Sequence, residues 1–256
     1  SRYGFEKALA GMRLDPGMMM SVSDGSQRGK NGTYGWVMKA PGRVYSSSGK
    51  VRSYTRELDS YRSELHGVLS MMAGAWSINS RAQVRAYCDN QSVVDGFKKM
   101  RAAIGRDGTG VAPKFNHSVD LWEEVEHWCR KWKQQFVLEW SKGHPEKRDS
   151  TRARWTPVDW MNHVADRAAE AEYGKAGGED APECLRHQGR WRLEWNGMQI
   201  TSVTNDALNW IQEELPWREL LREQDCDPSG LDVQATKVAT GYMGVAVKRA
   251  QNVKMM

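Results

Sequence analysis

The apolar residues of this chain change their spacing near residue 60, and the change limits the folds available to it. Residues 18–26, 34–39 and 43–54 have the apolar runs and turn residues of extended strands. From residue 61 onward, apolar side chains recur at the spacing of a helix, which predicts a helix over residues 60–76. Three strands that form an antiparallel meander therefore precede the first long helix.

Strands and helices alternate in the following part of the chain. Further elements are predicted at residues 83–88 (strand), from Asn90 onward (helix), 118–132 (helix), 135–140 (strand) and 162–173 (helix). We interpret Ser118 and Asn162 as the N-caps of their helices, because short polar side chains satisfy the first free N–H groups. Residues 143–161 read as a charged loop without a clear pattern. This order of elements indicates an α/β domain.

The character of the sequence changes after Gly177 and Gly178. The Asn196-Gly197 pair predicts a hairpin, because both residues tolerate the backbone of a two-residue turn. We expect residues 1–17 to be a lead-in, 18–176 the main domain and 177–256 a small α+β extension with helices at 205–214 and 235–252. No catalytic constellation is visible in this extension. Because the chain runs from Ser1 directly into helix-like sequence, we expect it to be a segment of a longer polypeptide.

Composition narrows the setting in which the protein works. No apolar run approaches the roughly 20 residues that cross a membrane, so we expect a soluble protein with no membrane partner. The 4 cysteines are far apart and have no zinc-site spacing, which favours a reducing, intracellular location, cytoplasmic or nuclear. The net charge of +5, with the basic excess mainly within residues 21–175, favours an anionic partner.

Four carboxylates occupy comparable positions in the predicted elements. Asp24 ends the first strand before a Gly25-Ser26 turn, Glu64 begins the first helix, Asp89 ends the fourth strand and Asp166 lies in the last helix. Clustered carboxylates repel one another unless cations neutralise them. Hard oxygen ligands of this kind suit Mg²⁺ or Mn²⁺ better than zinc. The sequence therefore predicts a two-metal site at one edge of the sheet.

Six fragments, in order, resemble the pattern of ribonuclease H, particularly the type carried by retroelement reverse transcriptases. The resemblance covers residues 21–173. The fragments are Ser23-Asp24-Gly25-Ser26, Arg62-Ser63-Glu64-Leu65, Cys88-Asp89-Asn90-Gln91, Asp120-Leu121-Trp122, Trp140-Ser141-Lys142-Gly143-His144, and the helix segment from Asn162 through Asp166 to Ala169.

The resemblance implies a ribonuclease H-like fold and a set of catalytic roles. Asp24 would bridge two Mg²⁺ ions, with Mn²⁺ able to substitute for them. Glu64 and Asp89 would complete the shell of one ion, and Asp166 would hold the other. His144, on a loop beside the site, would help to carry protons or release product. The expected reaction is hydrolysis of the RNA strand of an RNA·DNA hybrid, leaving a 5′-phosphate.

The resemblance also implies contacts with the hybrid, made by Gly25, Ser26, Tyr61, Arg62, Asn90, Lys98 and Lys99, with Arg101 as a further candidate. Two features depart from the family pattern. Many cellular members have two asparagines where this chain has Ser60 and Tyr61, which changes how a 2′-hydroxyl is recognised. The loop after His144 is longer and carries Arg148, Arg152, Arg154 and Trp155, either to track a nucleic acid strand or as a solvated loop with one anchoring aromatic.

Three functions fit these residues. The first is the divalent-metal-dependent hybrid endonuclease, as part of a reverse-transcribing polyprotein with a reverse transcriptase domain upstream, or of a gene derived from one. The second is a non-catalytic ribonuclease H-like module that binds nucleic acid or protein, against which the intact acids argue. The third is a transposase or integrase, which uses three acids and has no reason to keep the Trp140 to His144 motif.

Overall fold

The computed structural model describes residues 2–29, 31–51 and 59–175, together with 194–195 and 198–199. The main strands are β1 (Met18–Arg28), β2 (Asn31–Ala40), β3 (Arg43–Val51), β4 (Gln83–Cys88) and β5 (Phe136–Trp140). The helices are α1 (Arg2–Ala10), α2 (Ser60–Asn79), α3 (Gln91–Ile104), α4 (Val119–Trp132), α5 (Pro145–Arg148) and α6 (Pro157–Glu172), and a 3₁₀ turn (Lys133–Gln135) leads into β5.

The five main strands form one mixed sheet in the order β3-β2-β1-β4-β5. The first three strands pair antiparallel, whereas β4 pairs parallel to both β1 and β5. The predicted mixed sheet, with three antiparallel strands followed by alternating strands and helices, is confirmed. Because β1 is central, residues on it can meet helices that cover either face.

Side chains that alternate along the strands build a core on each face of the sheet. Helix α2 packs on β1 and β2 on one face, where Trp36 and Met38 join the larger core. Helix α6 packs on the same two strands from the other face, where Val22 and Val37 lie in the smaller core. Helix α1 packs against α6. The two helices thus carry their acids towards β1 from opposite sides.

The predicted turn at Gly25-Ser26 is wrong, because β1 continues to Arg28. Gly25 pairs with Tyr34 of β2, and Ser26 pairs with Thr33. A side chain on Gly25 would approach the Ser63 carbonyl carbon to 2.6 Å, so this glycine permits close packing of α2 rather than a turn. The turn comes later, at Gly29, whose φ is 57°. Asp24 is therefore a mid-strand residue, one position past the end of the pairing between β1 and β4.

The predicted cap of α6 is wrong, whereas the predicted cap of α4 is right in position but makes no capping bond. Helix α6 begins at Pro157 with a capping box between Thr156 and Asp159, so Asn162 lies inside the helix and is buried. Ser118 precedes α4 in a left-handed conformation and makes no side-chain cap hydrogen bond. The region taken as a patternless loop thus contains α5 and the first turn of α6.

Only fragments of the C-terminal extension are described. Strands β6 (Glu194–Trp195) and β7 (Met198–Gln199) pair antiparallel around Asn196-Gly197, as the predicted hairpin requires. The helices expected at 205–214 and 235–252, and residues 52–54 of the third strand, lie outside the described residues. Among the helices that are described, none is long and apolar enough to cross a membrane.

Candidate active site

The four carboxylates singled out in the sequence meet beside the middle of β1. Asp24 lies on β1, Glu64 comes from α2 on one face, and Asp166 comes from α6 on the other. Asp89 follows the last residue of β4, the strand next to β1. The carboxyl group of Asp24 hydrogen bonds to those of Glu64 and Asp166, and Glu64 also hydrogen bonds to Asp89. Asp24 is therefore the central member of the cluster.

Burial and mutual repulsion make it costly to ionise these groups together. Burial is the largest cause that raises the pKa of Asp24, and the nearby Asp89 and Asp166 raise it further. Burial likewise raises the pKa of Glu64, followed by the charges of Asp24 and Asp89. The pKa values of the half-buried Asp89 and Asp166 are also raised, again first by burial. Such a cluster favours bound protons or bound cations.

Two residues of the Trp140 to His144 segment fix the position of Asp89. The indole N–H of Trp140 donates to the Asp89 backbone carbonyl at 2.9 Å. The Cα of Gly143 lies against the Asp89 carboxylate, where a side chain of any size would overlap it. The segment thus holds both the backbone and the side chain of Asp89.

Cys88 is a buried neighbour of the cluster that the sequence analysis did not single out. Its thiol donates to Glu64 Oε2 at 3.7 Å, and one ligand atom each of Glu64, Cys88 and Asp89 lie within 4.8 Å of one another. Burial, followed by the charge of Glu64, raises the pKa of the thiol well above its usual value. Cys88 is therefore a protonated donor to Glu64. Its position directly before Asp89, at the end of a predicted strand, was the sequence signal that could have indicated its role.

His144 lies at the rim of the acid cluster, with 48% of its side chain exposed. A positive charge on it would lower the pKa of both Asp89 and Asp166, so the ring lies near both carboxylates. Its backbone has a φ of 50°, and α5 starts at the next residue. His144 thus lies between the acids and solvent, where a group that exchanges protons can work.

Several residues predicted to contact the hybrid have partners within the domain. The buried Arg62 donates to both carboxylate oxygens of Asp120 at 2.8 and 2.6 Å. Tyr61 accepts the indole N–H of Trp122 at 2.9 Å. Both contacts join α2 to the start of α4, which explains the Asp120-Leu121-Trp122 fragment structurally. Their predicted contact with a hybrid stays a prediction.

The other predicted contact residues fall into three groups. Asn90 caps α3 by accepting the Val93 N–H at 3.2 Å, and Arg101 donates to the Cys129 carbonyl at 2.8 Å. Lys98 and Lys99 are exposed on α3, with Lys99 near the Phe115 ring. Ser26 and Gly25 are half-buried on β1, and the Gly25 N–H donates to the Glu64 carboxylate. Of these predicted contact residues, the two lysines are the exposed ones.

The long loop after His144 is anchored to its own domain. Trp155 donates to the Asp149 carbonyl at 2.9 Å and its ring packs against Trp160. Arg152 lies over the Trp155 ring at 5.1 Å, and Arg148 is paired with Asp159. These contacts favour the reading of a solvated loop with one anchoring aromatic.

Glu146 and His163 near the site were also missed. Glu146 contacts both His144 and His163. A carboxylate two residues after His144 and a histidine directly after Asn162 were the signals that could have indicated them.

Solved structures with similar folds include ribonuclease H1 proteins and a foamy virus protease-reverse transcriptase. The protease-reverse transcriptase of prototype foamy virus shares 17% identity over 65% of this chain with a TM-score of 0.46, and only 22% of the viral chain is covered. LC11-RNase H1 in complex with an RNA/DNA hybrid shares 12% identity over 61% of this chain and 99% of its own, with a TM-score of 0.41. RNase H1 from Halobacterium salinarum shares 13% identity over 62% and 100%, with a TM-score of 0.40.

No protein-family model and no curated protein matches this sequence. The architecture itself is specific: a β3-β2-β1-β4-β5 sheet, antiparallel then parallel, with α2 and α6 on opposite faces. It is the architecture expected from the six sequence fragments, and the acids they contain meet at its central strand. The sheet order and the helices on its two faces give this chain a ribonuclease H-like fold, and the solved structures to which it is similar include ribonuclease H1 proteins and the RNase H domain of prototype foamy virus.

Proposed function

We propose that this protein is a divalent-metal-dependent endonuclease that hydrolyses the RNA strand of RNA·DNA hybrids. The observation that carries the proposal is the contact among four carboxylates from separate parts of the fold: Asp24, Glu64, Asp89 and Asp166. A structural role would not require four acids to meet in a buried place, because burying unpaired carboxylates costs free energy.

The chemistry of the donor set fits Mg²⁺. All four carboxylates offer hard oxygen atoms and have pKa values raised by burial, and those of Asp24 and Glu64 are raised further by neighbouring acids of the cluster, a repulsion that a divalent cation would relieve. Asp24 contacts the acids on both sides of β1, as a ligand shared between two ions would. Glu64 and Asp89 would hold one ion and Asp166 the other. Two such ions would supply an activated water and neutralise the charge that develops on the scissile phosphate.

The protein's own groups would orient the reaction. Trp140 and Gly143 would keep Asp89 in place, while Cys88 would hold Glu64. His144, facing Asp89 and Asp166 from the solvent side, would carry protons to or from the reacting phosphate. Lys98 and Lys99 on α3 would contact phosphates of the hybrid.

We also propose an intracellular setting and a reverse-transcribing element as the source. RNA·DNA hybrids are intermediates of reverse transcription, and the sequence fragments resemble those of ribonuclease H domains carried by reverse transcriptases. A reverse transcriptase domain encoded upstream in the same reading frame is the expected partner.

The test is cleavage of labelled duplexes. Incubation with Mg²⁺ should cut the RNA of an RNA·DNA hybrid, leave 5′-phosphate ends, and spare double-stranded RNA and double-stranded DNA. EDTA should stop the reaction and Mn²⁺ should restore it. An intact hybrid, together with tight hybrid binding, would favour the alternative of a non-catalytic nucleic-acid-binding module.

A further inference from the structure

A single carboxylate, that of Glu146, lies between two histidines at the rim of the acid cluster. Its Oε1 is 3.4 Å from His144 Nδ1, and its Oε2 is 3.8 Å from His163 Nδ1. The three residues come from separate parts of the site: the segment after β5, the first turn of α5, and α6. Helices α5 and α6 pack against each other, which brings the two histidines to the same carboxylate.

The contact between Glu146 and His163 forms the inner half of the arrangement and is shielded from water. Glu146 Oε2 and His163 Nδ1 are buried atoms without a hydrogen-bond partner among the described residues. Each faces the other across 3.8 Å, and a shift of less than about 1 Å would bring them to hydrogen-bond distance. The His163 ring is held by Trp155, whose centroid is 5.2 Å away. His163 is thus a fixed support on one side of Glu146.

The contact between Glu146 and His144 forms the outer half of the arrangement and lies beside the acid cluster. His144 is the exposed member, and its ring is close enough to Asp89 and Asp166 for its charge to act on both. The two ring nitrogens of a neutral histidine differ: the one that carries the proton is set by the hydrogen bond that the ring makes. A carboxylate at Nδ1 keeps the proton on Nδ1 and leaves Nε2 free to accept one.

We propose that Glu146 is a positioning residue that holds His144 in its Nδ1–H tautomer, with Nε2 directed towards the acid cluster, and that His163 anchors Glu146 from the other side. The use of Nε2 in hydrolysis rests on the proposed nuclease function, whereas the tautomer does not. Contacts of this type are often long in a substrate-free enzyme and shorten in the complex.

The tautomer can be read directly by NMR of the full chain with ¹⁵N-labelled histidine, without metal or substrate. At a pH above the usual histidine pKa of about 6.5, the chemical shifts of the ring nitrogens separate the two tautomers. The wild-type protein should have His144 as the Nδ1–H form. Glu146→Ala should move it to the Nε2–H form that a solvent-exposed histidine side chain prefers, and Glu146→Gln should restore the Nδ1–H form in part, because the amide oxygen still accepts.

A matched control is Glu170→Ala. Glu170 lies on α6 and its charge also acts on Asp166, but its ion pairs are with Arg28 and Arg167. This variant removes the same charge near the cluster and should leave the His144 tautomer unchanged. His163→Phe keeps a ring against Trp155 but loses the anchor, so it should yield a mixture of tautomers. Backbone amide spectra and melting temperatures would show that each variant is folded.

Two results would overturn the inference. One is an Nε2–H tautomer of His144 in the wild-type protein, and the other is an unchanged tautomer in folded Glu146→Ala. Cleavage is a separate readout: Glu146→Ala should lower kcat about 10- to 100-fold with little change in KM, since supporting residues act on the groups that they orient. An Nδ1–H tautomer in a protein that cuts no hybrid would leave the positioning role standing and reject the proposed function.

Discussion

Gly143 lies against the carboxylate of Asp89, so close that a methyl group on its Cα would come within 2.8 Å of Asp89 Cγ. This relationship explains why a glycine precedes His144. We expect Gly143→Ala to push the Asp89 side chain out of the cluster and to lower cleavage of a hybrid by at least about 10-fold, the usual effect of disturbing a ligand's support.

The matched control is Gly174→Ala. The nearest atom to a methyl group there is 3.8 Å away, and the residue is exposed. Cleavage rates of the two variants, measured at saturating Mg²⁺, show whether a loss of activity comes from displacing Asp89 or from replacing any glycine by alanine. Equal activity of Gly143→Ala and the wild-type protein would show that Asp89 does not need its present position.

The ion pair between Arg62 and Asp120 should contribute mainly to stability. Both side chains are largely shielded, with exposures of 6% and 16%. Asp120→Asn would leave a buried guanidinium without its carboxylate, so the free energy of unfolding in urea should fall by about 3–5 kcal/mol. The exposed pair of Arg28 and Glu170 is the comparison, and Glu170→Gln should cost no more than about 1 kcal/mol. A similar, small loss in both variants would contradict the structural role of Arg62.

The contrast between Gly25 and Gly143 illustrates what could be predicted from sequence. The order of strands and helices followed from the spacing of apolar residues, and the four acids followed from their places in that order. Gly25 was misread as a turn residue because the reason for it is the approach of α2, more than thirty residues away in sequence, and local turn preferences carry no such information. Long-range packing of this kind is invisible in a local pattern.

The start of α6, by contrast, had a local signal that was passed over. Thr156, Pro157 and Asp159 have the spacing of a capping box with proline at the first helical position. Interpreting Asn162 as the cap, in place of Thr156, moved the cap by six residues. The contacts of Glu146 with two histidines could not be derived from sequence, because they depend on how α5 packs on α6.

Asp24 should destabilise the protein when no cation is bound. Its pKa is well above the usual value of about 3.9, so the folded state favours the protonated form. The associated stability is present at low pH and is lost as the pH rises through the pKa of the folded state. In EDTA at alkaline pH, Asp24→Asn should therefore melt at a higher temperature than the wild-type protein.

Mg²⁺ should narrow or reverse this difference in melting temperature. A cation that binds only the folded state raises its stability, so Mg²⁺ should raise the melting temperature of the wild-type protein more than that of Asp24→Asn. Asp95→Asn, an exposed acid on α3, should behave like the wild-type protein. An equal effect of Mg²⁺ on all three proteins would place the cation elsewhere.

Glu124 on α4 gives a second pH dependence, away from the acid cluster. Burial, followed by the charges of Glu123 and Asp120, raises its pKa to about 8. Because the unfolded glutamate has a pKa of about 4.3, stability from this group is present below that value and is lost as the pH rises towards 8. Glu124→Gln should be more stable than the wild-type protein above the folded pKa, by about 1 kcal/mol or more, and the difference should vanish at acidic pH.

Urea unfolding across this pH range measures the effect. Glu126→Gln, on the same helix, is the control because Glu126 forms a half-exposed pair with Arg130 and should leave the pH dependence in place. Parallel pH profiles for Glu124→Gln and the wild-type protein would contradict a protonated Glu124.

The central claim is that the clustered carboxylates hold the divalent ions that cut a hybrid, and single-turnover cleavage against Mg²⁺ concentration tests it most directly. Asp89→Asn keeps the shape of the side chain and removes its charge, whereas Asp95→Asn makes the same change on the exposed face of α3. We predict Mg²⁺-dependent cutting by the wild-type protein and by Asp95→Asn, and a loss of at least about 100-fold in Asp89→Asn. Wild-type cleavage rates in Asp89→Asn, or cutting that persists in EDTA, would contradict the account.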